Sequence, residues 1–159
     1  MKIYLVQHGI SAAENDGGEK VLTEKGRKET DLIASVARGY NVNVKEILHS
    51  GKARAEQTAE IYRNVLGVAH PLKDVAGIKP LDDVEKFSMK IANYKDCLIV
   101  GHLPFLERLI SFLTTDKSDM KVYQFQNSGM VCIEAKEDGT GVEGGLNWYI
   151  LWTLNPQIG

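Results

Sequence analysis

Two unbroken apolar runs, at residues 3–6 and 97–100, are the clearest feature of the sequence, and each is followed within two residues by a histidine. Four apolar residues without a polar break are typical of a strand that is buried on both faces of a parallel sheet. A third strand is predicted at residues 44–48, and it leads into a histidine, a serine and a glycine. The pattern therefore predicts three buried strands with polar residues at their carboxyl ends.

Two long stretches between these strands repeat their apolar residues at the spacing of an α-helix. The first is predicted to begin after Thr23, a good N-cap residue, and to run to about Arg38, just before Gly39. The apolar face of this helix is predicted to contain Leu32, Ile33 and Val36. The second helix is predicted over residues 52–66 and ends at Gly67. Its buried stripe is predicted to contain Ala55, Ala59, Tyr62 and Leu66.

The rest of the first two thirds of the chain has weaker patterns. Residues 10–21 are polar, contain two adjacent glycines and are predicted to form a loop. A short strand is predicted within residues 69–76, and a third helix is predicted from Leu81 or Asp82 to about Tyr94. A fourth helix is predicted over residues 105–113, directly after Pro104.

The last third of the chain is rich in β-forming residues. Residues 130–135 and 147–154 are predicted to form an antiparallel hairpin, with the glycine-containing segment 137–145 between them. Trp148 and Trp152 are four residues apart, so they are predicted to pack on the same face of the sheet.

The alternation of strands and helices predicts an α/β fold, because parallel strands need crossover helices that cover both faces of the sheet. We expect a three-layer α/β/α sandwich with a mostly parallel sheet and an antiparallel hairpin at the C-terminal end. The 159 residues are predicted to form a single domain over residues 1–159. The carboxyl ends of the three buried strands then meet at one edge, where ligands bind in such sheets.

Composition and charge exclude several classes of partner. The net charge of -2 provides no basic excess, so neither nucleic acid nor an anionic membrane is an expected partner. No apolar run approaches the length of a membrane span, and a cytoplasmic location is expected. Cys97 and Cys132 lie in apolar runs without a CxxC spacing, which predicts buried thiols.

The predicted edge collects residues that suit a phosphoryl group. An arginine offers bidentate donors to phosphate, and the amides around Lys52 and Ala53 are expected to point toward an anion at the start of a helix. A neutral imidazole can attack phosphorus, and a second imidazole can stabilise charge on the phosphoryl oxygens. No acidic residue or cysteine is spaced to bind metal with these histidines, so neither metal nor cofactor is expected. The residues concerned are Gln7, His8, Gly9, Ser50, Arg54, Gly101 and His102.

The same residues resemble the histidine phosphatase superfamily, and the similarity is greatest to its small SixA-type phosphohistidine phosphatases. The resemblance is carried by Gln7-His8-Gly9, by Leu22-Thr23 with Gly26, by the segment 50–59 around Arg54, and by Gly101-His102-Leu103-Pro104. Asn127-Ser128-Gly129 and the strand at residues 148–154 also fit, so the resemblance spans almost the whole chain. It implies a phosphoglycerate mutase-like fold and a metal-independent phosphatase.

The resemblance also implies a role for each position. His8 would be the nucleophile that becomes transiently phosphorylated, Arg54 would bind the phosphoryl oxygens, and His102 would stabilise the transition state. Residues expected to bind or orient the substrate are Gln7, Gly9, Ser50, Lys52 and Leu103. The implied substrate is a phosphohistidine-bearing protein domain in signal transduction, or else a small phosphorylated molecule, and phosphate or sulfate is expected to occupy the site.

One position departs from the family pattern. Arginine is expected directly before the nucleophilic histidine, but the residue is Gln7, which has no charge. A single neutral hydrogen bond in place of a charged pair is expected to cost about 1.5–3 kcal/mol, or ~10- to 150-fold in rate. Lys52 is a candidate for restoring part of the charge. An impaired enzyme that acts as a phosphate- or phosphoprotein-binding module therefore stays an alternative, as does a phosphatase for small metabolites.

Other titratable residues have simpler interpretations. His49 is predicted to be structural and His70 to lie on the surface, while Glu107 and Arg108 are predicted to form an exposed helical face. The loop carboxylates Glu14 and Asp16 are predicted to be solvated, although either could reach a leaving group as a proton donor.

Overall fold

A computed structural model of the protein describes residues 1–137 and 146–158. In chain order the elements are β1 (Lys2–Gln7), β2 (Ser11–Ala13), β3 (Lys20–Leu22), α1 (Glu24–Gly39), β4 (Glu46–His49), α2 (Ala53–Leu66), β5 (Lys73–Asp74), α3 (Val84–Ser88), a 3-10 helix (Ile91–Tyr94), β6 (Cys97–Gly101), α4 (Phe105–Thr115), β7 (Met130–Glu137) and β8 (Leu146–Leu154). None of the described helices is both long enough and apolar enough to cross a bilayer.

The main sheet has the strand order β5-β4-β6-β1-β7-β8. Strands β5, β4, β6 and β1 are parallel, whereas β7 is antiparallel to β1 and β8 is antiparallel to β7. The predicted α/β class with a mostly parallel sheet and an antiparallel C-terminal hairpin is therefore confirmed. Residues 138–145, which include most of the predicted hairpin turn, lie outside the described residues.

Strand β1 runs through the centre of the sheet and is buried on both faces. Ile3 and Leu5 pack with α3 and α4 in one apolar cluster, while Tyr4 and Val6 pack with α1 and α2 in the other. Alternate side chains of a strand point to opposite faces, so a strand without polar residues needs a helix layer on each side. The apolar run that is visible in the sequence therefore produces the three-layer arrangement.

Helix α1 begins and ends close to the predicted positions, and its predicted apolar face is confirmed in part: Ile33 is buried and Val36 is half-buried. The hydroxyl of Thr23 accepts a hydrogen bond from the N–H of Gly26, which confirms Thr23 as the N-cap. Leu32 was predicted to be buried and is 51% exposed. Small residues take the other buried positions, because α1 packs closely against α2 and the chain after β1. They are Gly26, Thr30, Ala34 and Ala37.

Two further predictions of local structure are corrected. The loop predicted at residues 10–21 contains β2 and β3, which pair as a small antiparallel sheet. Strands of three residues are too short to show a period in the sequence. The third helix is divided into α3 and the 3-10 helix, because Lys90 adopts φ -112°, outside the helical range. Asp83 caps α3 through its carboxylate, near the predicted start.

The two tryptophans of β8 face opposite sides of the sheet, contrary to the prediction. Cys132 pairs with Trp152 and its neighbour Ile133 pairs with Ile150, so Leu151 is an extra residue in β8. An extra residue in one strand reverses the alternation of the side chains beyond it. Trp148 therefore packs on the α3 and α4 side, whereas Trp152 packs on the α1 and α2 side.

Both cysteines are buried free thiols, as predicted. Burial raises the pKa of the Cys97 thiol, and it raises the pKa of Cys132 to about 11. Thiols with raised pKa values are poor nucleophiles at neutral pH, so these residues serve in packing.

Gly26 is the point where α1 approaches the chain that follows the histidine after β1. A β-carbon at Gly26 would lie 2.2 Å from the carbonyl oxygen of Ile10. Alanine is favoured over glycine within a helix by about 1 kcal/mol, but a collision with backbone cannot be relieved by a side-chain rotation. We expect Gly26→Ala to lower the free energy of unfolding by about 1–3 kcal/mol, measured by urea denaturation.

Gly39→Ala is the matched control, since it lies at the other end of α1 and a β-carbon there would have no neighbour within 4 Å. This variant is expected to be unchanged or slightly more stable. Equal stability of the two variants would contradict the close packing of α1 on Ile10.

Candidate active site

Three neighbouring strands of the sheet bring the predicted site residues together. His8 follows β1, Ser50 follows β4 and His102 follows β6, and these strands are adjacent in the order β4-β6-β1. The ring centroids of His8 and His102 are 5.0 Å apart. The first residue after β1 remains attached to β6, because the N–H of His8 donates to the carbonyl of Gly101 at 3.1 Å. The edge predicted from the strand order therefore holds both imidazoles.

The hydrogen bonds of His8 determine which ring nitrogen carries the proton. Nδ1 lies 2.8 Å from the carbonyl oxygen of Gly9, which can only accept. Nε2 lies 3.3 Å from Nε of Arg54, which can only donate. The proton is therefore on Nδ1, and the lone pair of Nε2 is held beside the guanidinium of Arg54.

The environment of His8 keeps its ring neutral. Burial lowers the pKa of His8, the positive charges of Arg54 and Lys20 lower it further, and the hydrogen bond to Gly9 opposes them. Because the neutral form is the one with a free lone pair, a lowered pKa leaves the nucleophile available at neutral pH.

His102 is enclosed more completely, with 1% of its surface exposed. Its Nε2 lies 2.5 Å from the hydroxyl oxygen of Ser50. Burial, and then the electrostatic interactions of its protonated form with His8, Arg54 and Lys52, lower the pKa of His102 to about 3. Nδ1 of this ring is buried and has no hydrogen-bond partner among the described residues. A bound phosphoryl dianion would favour the protonated ring, since an opposite charge raises the pKa of histidine.

Arg54 and His8 are connected through Thr58, whose role the sequence did not reveal. The Thr58 hydroxyl donates to the carbonyl of Arg54 at 2.8 Å and accepts from the N–H of Gly9 at 3.0 Å. One side chain therefore holds the first turn of α2 against the backbone that follows His8. The only signal in the sequence was its place in the segment 50–59.

The segment before β7 forms hydrogen bonds with the backbone at the end of β1. Asn127 donates from Nδ2 to the carbonyl of His8 at 2.9 Å, and the N–H of Ser128 donates to the carbonyl of Gln7 at 2.9 Å. Ser128 adopts φ +65° and is held in turn by Thr30 and Tyr62. These contacts join parts of the chain that are more than 60 residues apart, so no local pattern predicts them.

Gln7 is 8% exposed, and its Oε1 is buried without a hydrogen-bond partner in the described part of the chain. A buried polar atom without a partner usually costs about 1–3 kcal/mol. An ionised phosphoryl oxygen cannot donate to Oε1, so the group of Gln7 that can contact a phosphoryl group is its Nε2 amide, which donates.

Two backbone amides at the site, of which that of Ala53 was predicted to face an anion, are used within the protein. The N–H of Ala53, at the start of α2, donates to Oε1 of Glu19 at 2.8 Å. The N–H of Gly9 donates to Thr58, so Gly9 orients the His8 ring through its carbonyl instead of offering its amide to a substrate. A β-carbon at Gly9 would lie 2.9 Å from the Thr30 hydroxyl oxygen, which explains the glycine by close packing.

The other predicted substrate-binding residues line two cavities at this edge. Lys52 and Ser50 line a cavity of about 540 Å³ together with Glu19 and Lys79. Leu103, directly after His102, lines a second cavity of about 850 Å³. The other residues that line this second cavity lie at the start of α4 and in the segment 118–124. Contacts of these residues with a substrate stay a prediction.

The residues with simpler interpretations mostly lie where they were predicted. His49 is buried and its Nδ1 accepts from the N–H of Gly51, while His70, Glu14 and Asp16 are exposed. Glu107 is a correction, since it is half-buried and its carboxylate accepts from the N–H of Phe125 at 3.1 Å. Arg108 is also half-buried.

The described residues contain no group of three or more histidine, cysteine, aspartate or glutamate side chains that could hold a metal ion. The expectation that catalysis needs no metal stays a prediction. The arrangement that is present has a neutral imidazole with a directed lone pair, a guanidinium beside it and a second buried imidazole. Together these groups can bind a phosphoryl group and accept it onto nitrogen.

Comparison with known proteins finds relatives that cover most of the chain. No protein-family model matches the chain. Phosphohistidine phosphatase SixA of Escherichia coli K12 is 25% identical over 154 residues, which cover 93% of this chain and 92% of that protein. An uncharacterized protein of Picosynechococcus sp. is 31% identical over 114 residues, which cover 67% of this chain and 68% of that protein.

Solved structures share the fold over nearly the whole chain. The protein histidine phosphatase SixA in complex with tungstate superposes with a TM-score of 0.80 at 24% identity, covering 98% of this chain and 97% of that one. The α-ribazole phosphatase of Shigella flexneri has a TM-score of 0.77 at 16% identity, with coverage of 100% and 98%. The sequence similarity and the shared fold together place the chain in the histidine phosphatase superfamily, among its SixA-like members.

Proposed function

We propose that this protein is a phosphatase that removes a phosphoryl group from protein phosphohistidine through a phosphohistidine intermediate at His8. The observation that carries the proposal is the hydrogen bonding of His8, with the proton on Nδ1 and the lone pair of Nε2 beside Arg54. A nucleophile must present a lone pair to phosphorus while a cation stabilises the phosphoryl oxygens, and these contacts satisfy both needs.

In the first step, Nε2 of His8 attacks phosphorus as the bond between phosphorus and the substrate imidazole breaks. The substrate imidazole leaves as a neutral ring when solvent protonates its other nitrogen. Arg54 moves its donors from Nε2 to the phosphoryl oxygens, and His102 faces the opposite side of the group. In the second step, water attacks the phosphorus on His8, inorganic phosphate leaves, and the lone pair returns to Nε2.

The candidate proton donors of the site, Glu14 and Asp16, are solvent-exposed carboxylates in the turn between β2 and β3. A substrate whose leaving group needs little help from an acid therefore suits this site best. An alkoxide leaving group needs strong help from an acid, whereas imidazole is a much better leaving group once its second nitrogen is protonated. SixA of E. coli is named as a phosphohistidine phosphatase, which supports the same substrate class for this chain.

Gln7 supports a second candidate, a protein that binds phosphate or phosphoprotein with little turnover. Its side chain is neutral, and its carbonyl oxygen has no partner among the described residues. Binding needs only the contacts of Arg54 and the histidines, whereas turnover also needs the extra stabilisation of the transition state. Hydrolysis of a small metabolite is a third candidate, since an α-ribazole phosphatase shares the fold.

A panel of a phosphohistidine protein, a phosphoserine peptide and a sugar phosphate separates these functions. We expect kcat/KM to be greatest for the phosphohistidine protein, and we expect an acid-labile phosphoprotein of this chain after rapid quenching. Tight binding of phosphohistidine protein without phosphate release would instead support the binding module. Preferred hydrolysis of the sugar phosphate would support the metabolite phosphatase.

A further inference from the structure

The β2–β3 hairpin is fixed to α2 at two points. The N–H of Ala53 donates to Oε1 of Glu19 at 2.8 Å, and the N–H of Leu22 donates to Oε1 of Gln57 at 2.8 Å. The N-cap residue of α2, Lys52, makes no side-chain capping hydrogen bond, so Glu19 supplies the cap from 34 residues away. A carboxylate at the start of a helix also interacts favourably with the helix dipole.

Lys20 lies in the chain between the residues that make these two contacts. Residues two apart on a strand point to the same face, so Lys20 shares a face with Leu22. The side chain of Leu22 lies against the residue after His8, since a β-carbon at Gly9 would be 3.0 Å from Leu22 Cδ2. Lys20 is exposed, and the contacts of its neighbours place its backbone beside the start of α2 and the residue after His8.

We propose that Lys20 binds the oxygens of the phosphoryl group and that Glu19 is a positioning residue that holds Lys20 there. The inference rests on the proposed function and extends it to the hairpin. Lys20 would supply positive charge that the neutral Gln7 does not. The charge of Lys20 already acts on His8, because it contributes to lowering the pKa of that ring.

The electrostatic effect of Lys20 is expected to be moderate because the residue faces solvent. An exposed charge is screened, but the phosphoryl group carries up to two negative charges at close range. We expect Lys20→Met to weaken binding of tungstate, used as a phosphate analogue, by about fivefold or more. The same change is expected to raise the pKa of His8, measured by NMR titration of its ring protons.

Lys25→Met is the matched control for Lys20→Met. Lys25 is exposed on α1 and its charged partner is Glu29, one helical turn away. This variant is expected to bind tungstate as the unchanged protein does. Equal tungstate binding by the two lysine variants, with an unchanged pKa of His8, would overturn the role of Lys20.

Two variants of Glu19 test the positioning role. Glu19→Gln keeps an oxygen that can accept from Ala53, whereas Glu19→Ala removes it. We expect Glu19→Ala to weaken tungstate binding and Glu19→Gln to restore most of it. In the Glu19→Ala background, the effect of Lys20→Met should largely disappear, because the lysine is no longer held. Fully additive effects would contradict the coupling.

The failure of this inference differs from a failure of the proposed function. The inference fails if the Lys20 variants bind tungstate normally while His8→Ala still abolishes hydrolysis. The proposed function fails if hydrolysis of phosphohistidine protein persists without His8, whatever the lysine variants show.

Discussion

Replacing His8 with alanine is expected to lower the rate of phosphohistidine hydrolysis by roughly 10³-fold or more. The change removes the Nε2 lone pair that lies 3.3 Å from Arg54, and no other imidazole holds an equivalent position. His102 cannot substitute for it, because it is 1% exposed and its Nε2 contacts Ser50. Rapid-quench labelling with a phosphorylated substrate measures both the rate and the loss of the acid-labile phosphoenzyme.

His70→Ala provides the matched control, since the imidazole of His70 is exposed and only its backbone carbonyl accepts a hydrogen bond, from Arg63. Its rate should equal that of the unchanged protein. Thermal unfolding of His8→Ala should stay close to normal, because His8 is only half-buried. Hydrolysis that survives in a folded His8→Ala protein would show that phosphoryl transfer does not pass through this residue.

Replacing Gln7 with arginine is expected to raise the rate of phosphohistidine hydrolysis. A guanidinium at this position would form charged, bidentate hydrogen bonds with the phosphoryl group, where glutamine forms neutral ones. We expect kcat/KM to rise by about 10- to 150-fold, equivalent to about 1.5–3 kcal/mol. Steady-state kinetics on phosphohistidine protein measure the gain.

The buried position of Gln7 adds a second readout to this experiment. An arginine there would be a buried charge without a partner until an anion binds, so the free variant should unfold at a lower temperature. Phosphate should then raise its Tm more than it raises that of the unchanged protein. Gln7→Lys is the control, because lysine adds a positive charge without the planar, bidentate donors of a guanidinium. It should recover part of the gain in kcat/KM. No gain in rate from Gln7→Arg would mean that other groups already provide this stabilisation.

Local features of the chain were predictable where one physical signal dominates. The run at residues 3–6 reads as a strand because both of its faces must be covered by helices. Thr23 was predictable as an N-cap because its hydroxyl can accept a hydrogen bond from the first turn. Gly67 was predictable as a helix end because glycine readily adopts the positive φ, here +71°, that ends a helix. The prediction that His8, Arg54 and His102 approach each other followed from strand order alone, since parallel strands end at the same edge.

Predictions failed where the outcome depended on contacts between distant segments. Leu32 has the hydropathy of a buried residue, but the close packing of α1 gives the buried face to smaller side chains. The extra residue Leu151 reverses the direction of Trp152, and only the pairing with β7 reveals it. The N–H of Ala53 was predicted to bind an anion, but it donates to the carboxylate of Glu19. The sequence could not show this contact, because no local pattern relates residues 34 positions apart.

The sequence by itself determined the α/β class, the order of the main strands and long helices, and which polar residues lie at the carboxyl edge of the sheet, since these follow from hydrophobic periodicity and the direction of strands. The tertiary structure decided which nitrogen of His8 carries the proton, how Thr58 and Ser128 hold its backbone, and that the buried Oε1 of Gln7 has no partner among the described residues. Periodicity reports which side of an element is buried, but hydrogen bonds depend on distances of a few tenths of an ångström between groups that only the folded chain brings together.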